Sequence, residues 1–189
     1  MIYKEEETFK QKNFSRDLLE LGEYELCTFT NCDFSNVNLT SMKFIECEFI
    51  ECNLSNAILN QTSFQAVKFE NCKMLGLNFE NCSEFGLSFE FHHSSLNHSS
   101  FYQCKIKETR FSNSQLHEVD FTECNLAQAS FDHCDLLGAI FDNTILEKAD
   151  FRTSENYSID LDKNQSKKAK FSLNGIAGLL NKYNIQIEK

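Results

Sequence analysis

The chain has 189 residues, 41% of them hydrophobic, and a formal net charge of −10. That is enough apolar content for one soluble core, and the acidity, with no basic stripe carrying interleaved aromatics, argues against direct nucleic-acid binding. No apolar run approaches membrane-spanning length, and the charged start from Met1 to Glu7 lacks an apolar targeting core, so no membrane partner, no export and a cytoplasmic location are expected.

In chain order, the first pattern is a large apolar residue at every fifth position. It begins Phe9, Phe14, Leu19, Tyr24, Phe29, Phe34, Leu39 and runs to Phe79 and Phe89, broken only by Glu84. A helix repeats at 3.6 and a strand at 2, so a sustained period of five means neither alone; it means a solenoid. Two residues before each large residue stands a small or medium one, such as Cys27, Val37, Cys47, Ala57 and Thr62. The other three columns are mostly polar. In the first units Glu7, Lys12, Asp17 and Gly22 replace the small residues, which reads as a polar cap on the rod's open end. Proline would remove donors that join neighbouring coils, and the chain has none.

The phase changes over about residues 84–94. Glu84 takes a core slot, and the stretch Phe85-Gly86-Leu87-Ser88-Phe89-Glu90-Phe91-His92-His93-Ser94 carries two extra residues. This predicts a bulge joining two straight segments. The alternative is a recognition element in which Phe91, His92 and His93 project. The column then resumes at Leu96, Phe101, Ile106 and Phe111 and continues to Phe151.

All nine cysteines fall in the small column, with Cys27/Cys32 and Cys47/Cys52 five apart and Cys72/Cys82 and Cys124/Cys134 ten apart, and no C-x-x-C occurs. That is the period of the fold and not a ligand spacing, so buried free thiols are expected, with Cys32, Cys52 and Cys72 stacked, and no metal. No nucleophile elbow, phosphate loop or zinc-protease motif is present; no catalytic residue, cofactor or enzyme activity is assigned.

After a polar, basic stretch from Lys163 to Lys170, residues 171–183 predict a short helix. Leu173, Ile176, Leu180 and Tyr183 would share its face, and Ile185 and Ile187 would alternate as in a strand. Together with Phe171 and Leu179 they form either an end cap or a self-complementary homodimer interface. The expected division is a β-helix over 1–162 and a C-terminal element over 163–189.

The five-residue unit over about residues 9–151 resembles the pentapeptide-repeat family. The resemblance implies an all-β fold, a right-handed quadrilateral β-helix with four units to a coil. About 17 units precede the phase change and about 12 follow, hence roughly seven coils and a rod roughly 34 Å long. The stretches Phe29–Leu39, Lys43–Phe49 and Asn81–Phe89, and the ending Lys170–Ile187, are similar to the Qnr-type quinolone-resistance proteins. That resemblance implies binding to DNA gyrase or topoisomerase IV by mimicry of duplex DNA, protection from quinolones or related toxins, and dimerisation through the C-terminus. The outward loops many of those proteins carry are missing here: Phe49–Leu54 and Phe101–Phe111 run straight. A protein-interaction scaffold with another partner is the alternative.

Mimicry needs charge. Duplex DNA carries about one negative charge per 1.7 Å; the net charge spread over the rod gives about half that density, so a single face must concentrate it. The twenty-residue coil places Glu48, Glu51, Glu70 and Glu90 along one face. Asp120, Glu123 and Asp142 lie along another, with Glu118 and Asp135 on its neighbour. Outward-column Ile45, Ile50, Ile58, Leu137, Ile140 and Ile145 point to contact patches.

Overall fold

The structure, a computed structural model, describes residues 1–186 and 188. Every fifth residue turns a corner, so twenty residues make one square turn with four sides. The corner residue, two after each large apolar one, has positive φ at nearly every unit: Asn31, Asn36, Ser41, Glu46 and Glu51 lie between 52° and 61°. An amide-to-carbonyl bond such as Val37 N–H to Phe34 O, 3.0 Å, closes many of these corners. A β-turn of this kind needs its third residue left-handed. That conformation costs an L-residue roughly 1 kcal/mol, and the coil-to-coil bonds offset it.

Among the described residues eleven short strands mark two of the sides. Side I holds β2 (Thr8–Lys10), β4 (Thr28–Thr30), β6 (Glu48–Ile50), β8 (Val67–Glu70), β9 (Phe89–His92), β10 (Arg110–Ser112) and β11 (Ser130–Asp132) in one parallel sheet. Side IV holds β1 (Ile2–Glu5), β3 (Gly22–Glu25), β5 (Lys43–Ile45) and β7 (Ser63–Gln65). Sides II and III are joined by single parallel bridges, for example Asp33 to Asn53 and Ser100 to Asp120. The result is the expected all-β, right-handed quadrilateral β-helix of about seven turns. Coil-to-coil bridging continues to Lys170.

The core is built from stacked rings. Phe9, Phe29, Phe49, Phe69, Phe91, Phe111, Phe131, Phe151 and Phe171 form one unbroken column on side I, with centroids 4.7–5.4 Å apart. A second aromatic column changes sides. Tyr24, Phe44 and Phe64 stack on side IV in the first segment. Phe79, Phe101, Phe121 and Phe141 stack on side III in the second. Leu and Ile fill the sides the rings vacate, which keeps the cross-section filled at crystal-like density.

The handover lies at the phase change. Register steps by twenty residues before and after the insertion, but across it Val67 pairs with Phe89, Phe69 with Phe91, Lys73 with Ser95 and Asn78 with Ser100, a step of twenty-two. So Phe91 continues the side I column and is fully buried; it does not project. Phe89 stands not in the large column, as the five-residue count has it, but in the small one above Val67. Its ring lies 5.3 Å from Phe79 and 6.3 Å from Phe64. There it fills the core where the insertion supplies no buried large residue, because Glu84, Phe85 and Gly86 are all exposed and Gly86, at φ +68°, turns a corner. Glu84 is exposed, not in a core slot. A buried carboxylate with no partner would be far costlier than two inserted residues.

The small column does more than leave room. Its hydroxyls and thiols donate to carbonyls one coil back: Thr62 Oγ1 to Leu39 O, 2.8 Å, Thr144 Oγ1 to Phe121 O, 2.8 Å, and Cys52 Sγ to Phe29 O, 3.3 Å. All nine cysteines are free and buried, and Cys32 N–H reaches Cys52 Sγ at 3.4 Å. Burial pushes the thiols of Cys47, Cys104 and Cys134 up to about 12.

The C-terminus departs from expectation. In place of an α-helix there are two 3-10 turns, Ile176–Leu179 and Asn181–Tyr183. The i, i+3, i+7 spacing therefore does not gather one face: Leu173, Ile176 and Tyr183 are exposed, while Leu179 and Leu180 are half-buried. Tight docking on Tyr157 sets the geometry. Ile159 N–H bonds to Gly178 O at 3.0 Å, and a Cβ at Gly178 would strike the Tyr157 carbonyl and ring. Ile185 is exposed and belongs to no strand; Ile187 lies outside the described residues.

Candidate interaction surface

Three of five residues in each unit face outward, so the surface is a grid of ladders. Its charge depends on which residues stack. On side I the ladder reads Thr28, Glu48, Lys68, Glu90, Arg110. Lys68 lies 3.5 Å from Glu48, and Arg110 3.5 Å from Glu90. Glu90 also meets His92 at 3.2 Å. The next ladder stacks Ile50, Glu70 and His92. At the corner, Glu51 accepts from Asn31 Nδ2 at 2.7 Å. Glu48, Glu51, Glu70 and Glu90 thus share one side, but cations interleave with them.

Side III differs. Asp120 stacks between Ser100 and Ile140, and exposed Glu123 accepts from Gln103 Nε2 at 2.7 Å. Asp142 is half-buried, and Lys163 reaches it at 4.0 Å. Asp120 also serves the fold: its carboxylate accepts the Thr122 amide at 2.8 Å. The same turn recurs at Asp33, Asp135 and Asp150, where each carboxylate accepts the amide two residues on. The signal for it, Asp or Asn just before the large residue, is present in the sequence. Asp135, on side II, is tied to His117 Nε2 at 2.7 Å, and Glu118 to His98 Nδ1 at 3.3 Å. Burial works against ionisation of Asp135, but bonds from Asn156 and His117 outweigh it and lower its pKa.

Of the outward apolar residues, Ile58, Leu137 and Ile140 are exposed, whereas Ile45, Ile50 and Ile145 are half-buried. At the C-terminal end Phe171 is half-buried on Phe151, and Lys182 clamps Asp160 and Asp162. Among the described residues no group of three or more His, Cys, Asp or Glu could hold a metal ion, and no helix is long and apolar enough to cross a membrane.

Comparison with known proteins matches this architecture. Among solved structures, full-length QnrB1, a plasmid-mediated fluoroquinolone resistance protein, aligns over 97% of this chain and 100% of its own at 16% identity and a TM-score of 0.56. A trypsin-treated QnrB1 variant covers 98% and 99% at 20% identity, with a TM-score of 0.49. HetL, a pentapeptide repeat protein involved in heterocyst differentiation regulation from the cyanobacterium Nostoc sp. strain PCC 7120, covers 89% and 86% at 14% identity, with a TM-score of 0.46. At such identities the likeness is one of fold. No curated protein matches the chain. The family model for the pentapeptide repeat region matches residues 23–90 and 78–155, most of the length over which the coils stack, and the chain belongs to the pentapeptide-repeat family.

Proposed function

We propose that this rod is a non-catalytic, cytoplasmic DNA mimic that occupies the DNA-binding surface of DNA gyrase or topoisomerase IV and protects it from quinolones or related toxins. The observation that carries the reading is side III, where among the described residues Asp120, Glu123 and Asp142 meet one cation, Lys163, at the 4.0 Å limit of an ion pair. Such a stripe attracts a basic saddle and speeds encounter. The Qnr-like stretches of sequence, and the QnrB1-like fold over nearly the whole chain, support the same target. On side I, Glu48, Glu51, Glu70 and Glu90 contribute less net field, because Lys68 and Arg110 stand among them. In this reading two rods join through Phe171, Leu173, Ile176, Leu179, Leu180, Tyr183, Ile185 and Ile187.

The test is gyrase supercoiling with and without ciprofloxacin. Wild type should relieve drug-stabilised cleavage, and Asp120→Lys/Glu123→Lys/Asp142→Lys should not, while Glu48→Lys should cost less. Equal protection by the triple variant rejects mimicry by side III. A second reading, a rigid scaffold for another partner, draws on exposed Ile58, Leu137 and Ile140. It is favoured if folded wild type leaves gyrase unaffected at large excess.

A further inference from the structure

The C-terminal turns sit on the rod without slack. Gly175 lies against the far end of the Tyr157 side chain and Gly178 against the Tyr157 carbonyl, and a Cβ at either glycine would strike that tyrosine. Tyr157 is 3% exposed. Its hydroxyl is the one buried side-chain polar atom without a hydrogen-bond partner among the described residues, so the turns cover it at a cost. Three contacts oppose that cost. Ile159 N–H donates to Gly178 O at 3.0 Å, Lys182 clamps Asp160 and Asp162, and Leu179 packs half-buried on the core.

The glycine that meets the Tyr157 hydroxyl follows an asparagine, and Asn174-Gly175 is the only such dipeptide in the chain. Asn174 is exposed, and among the described residues its side-chain amide makes no hydrogen bond. The Gly175 amide is held loosely: it is shared between Ser172 O and Ser172 Oγ, each at 3.2 Å, against a usual distance of about 2.9 Å. Both residues lie ahead of the first 3-10 turn, Ile176–Leu179. With Arg152, Asn156 and Asn181 they line an open cleft of about 660 Å³, so water reaches the peptide bond between them.

We propose that Asn174 is a site of spontaneous deamidation, and that its conversion releases the C-terminal turns from the rod. The Gly175 nitrogen attacks Cγ of Asn174. A C–N bond forms, the side-chain nitrogen leaves as ammonia with the proton from Gly175, and a succinimide ring results. Water then opens the ring at either carbonyl. One opening gives aspartate. The other gives isoaspartate, in which the main chain runs through Cβ and Cγ of residue 174 and is one carbon longer. Glycine favours the attack because no Cβ hinders its nitrogen. Yet glycine stands there for another reason, the close approach to Tyr157, so the fold itself installs the reactive pair. The same close approach cannot absorb a longer main chain. Lifting the turns also lets water reach the orphaned hydroxyl. In the function proposed above, Phe171, Leu179 and Leu180 help join two rods, and release would part them; only that consequence rests on the dimer reading.

The experiment incubates the full, folded chain in mildly alkaline buffer and follows the tryptic peptide 171–182 by mass spectrometry. That peptide carries its own control, Asn181, which is exposed and followed by lysine. Asn174 should exchange ammonia for water about tenfold faster than Asn181, because glycine leaves the attacking nitrogen open. Enzymatic methylation should find isoaspartate as the larger product. Equal rates at the two asparagines overturn the site. Brief trypsin treatment of the folded chain then tests release. Converted chain should be cut at Lys170 about tenfold faster than fresh chain, with an unchanged far-UV spectrum. Asn174→Gln, whose longer side chain closes a ring slowly, should keep the slow cleavage throughout the incubation. Asn174→Asp, which adds the charge without lengthening the main chain, should also stay docked. Unchanged cleavage of converted chain, or equally fast cleavage of fresh Asn174→Asp, overturns release by lengthening. Size-exclusion chromatography separates the two readings: fresh wild type that runs as a monomer rejects the joint between rods, while mass and cleavage still decide the modification.

Discussion

Phe111→Ala should be among the most damaging single changes available in this rod. Its ring is fully buried, stacked 5.2 Å from Phe91 and 4.9 Å from Phe131, and set edge-on to Phe101 and Phe121 at 6.2 and 6.0 Å. Burying such a side chain is worth about 1.5–3 kcal/mol, and each aromatic pair adds about 0.5–1.5 kcal/mol. The backbone on both flanks is tied to neighbouring coils, so the hole cannot collapse. The expected loss is about 3–5 kcal/mol, the usual range for Phe→Ala in a core. With a urea slope of about 2–3 kcal/mol per molar, the midpoint should fall by more than about 1 M. The control is Phe85→Ala: that ring is 80% exposed, and its removal should change stability by less than about 0.5 kcal/mol. Equilibrium urea unfolding followed by far-UV circular dichroism reads both. A Phe111→Ala loss below about 1.5 kcal/mol, or equal effects at the two sites, would refute the claim that the continuous ring column carries the stability.

Other outcomes follow from the same geometry. Leu26 sits in a left-handed corner at φ 53° with 42% of its surface exposed. Leu26→Asn should therefore stabilise the fold by about 0.5–1 kcal/mol, read as a higher unfolding midpoint, and Leu26→Val should lower the midpoint. Gly178→Ala should undock the C-terminal turns without melting the coils, read as faster proteolysis after residue 170 with an unchanged far-UV spectrum. The cysteines should be silent to a thiol reagent at pH 8 in the native state, and all should react once urea unfolds the chain; rapid native labelling would contradict their burial. Arg152, 2.8 Å from Asp150, holds that carboxyl down at about 2. A depressed folded value means the pair stabilises the fold above the unfolded pKa of about 4 and loses that effect as pH falls through about 2. Arg152→Ala should move the Asp150 carbon titration up towards its ordinary value.

The sequence alone determined the repeat, the two inward columns, the buried thiols and the number of coils. Each follows from one periodicity, because a side chain's place in a five-residue unit decides whether it meets the core. Even the stacking of Cys32, Cys52 and Cys72 follows from counting by twenty. The count failed where something outside the period decided. At Phe89 and Phe91, only three-dimensional register shows which ring continues the column and which fills the gap left by the exposed insertion. At residues 171–183, propensity and spacing favour a helix, but close packing of Gly175 and Gly178 on Tyr157 imposes tighter 3-10 turns. The acidic surface was half legible. Carboxylates could be assigned to sides, yet whether Lys68 and Arg110 neutralise Glu48 and Glu90 depends on contacts made twenty residues apart. Periodicity settles inside against outside; electrostatics between coils belongs to the folded rod, because charges meet there only after the chain has turned four corners.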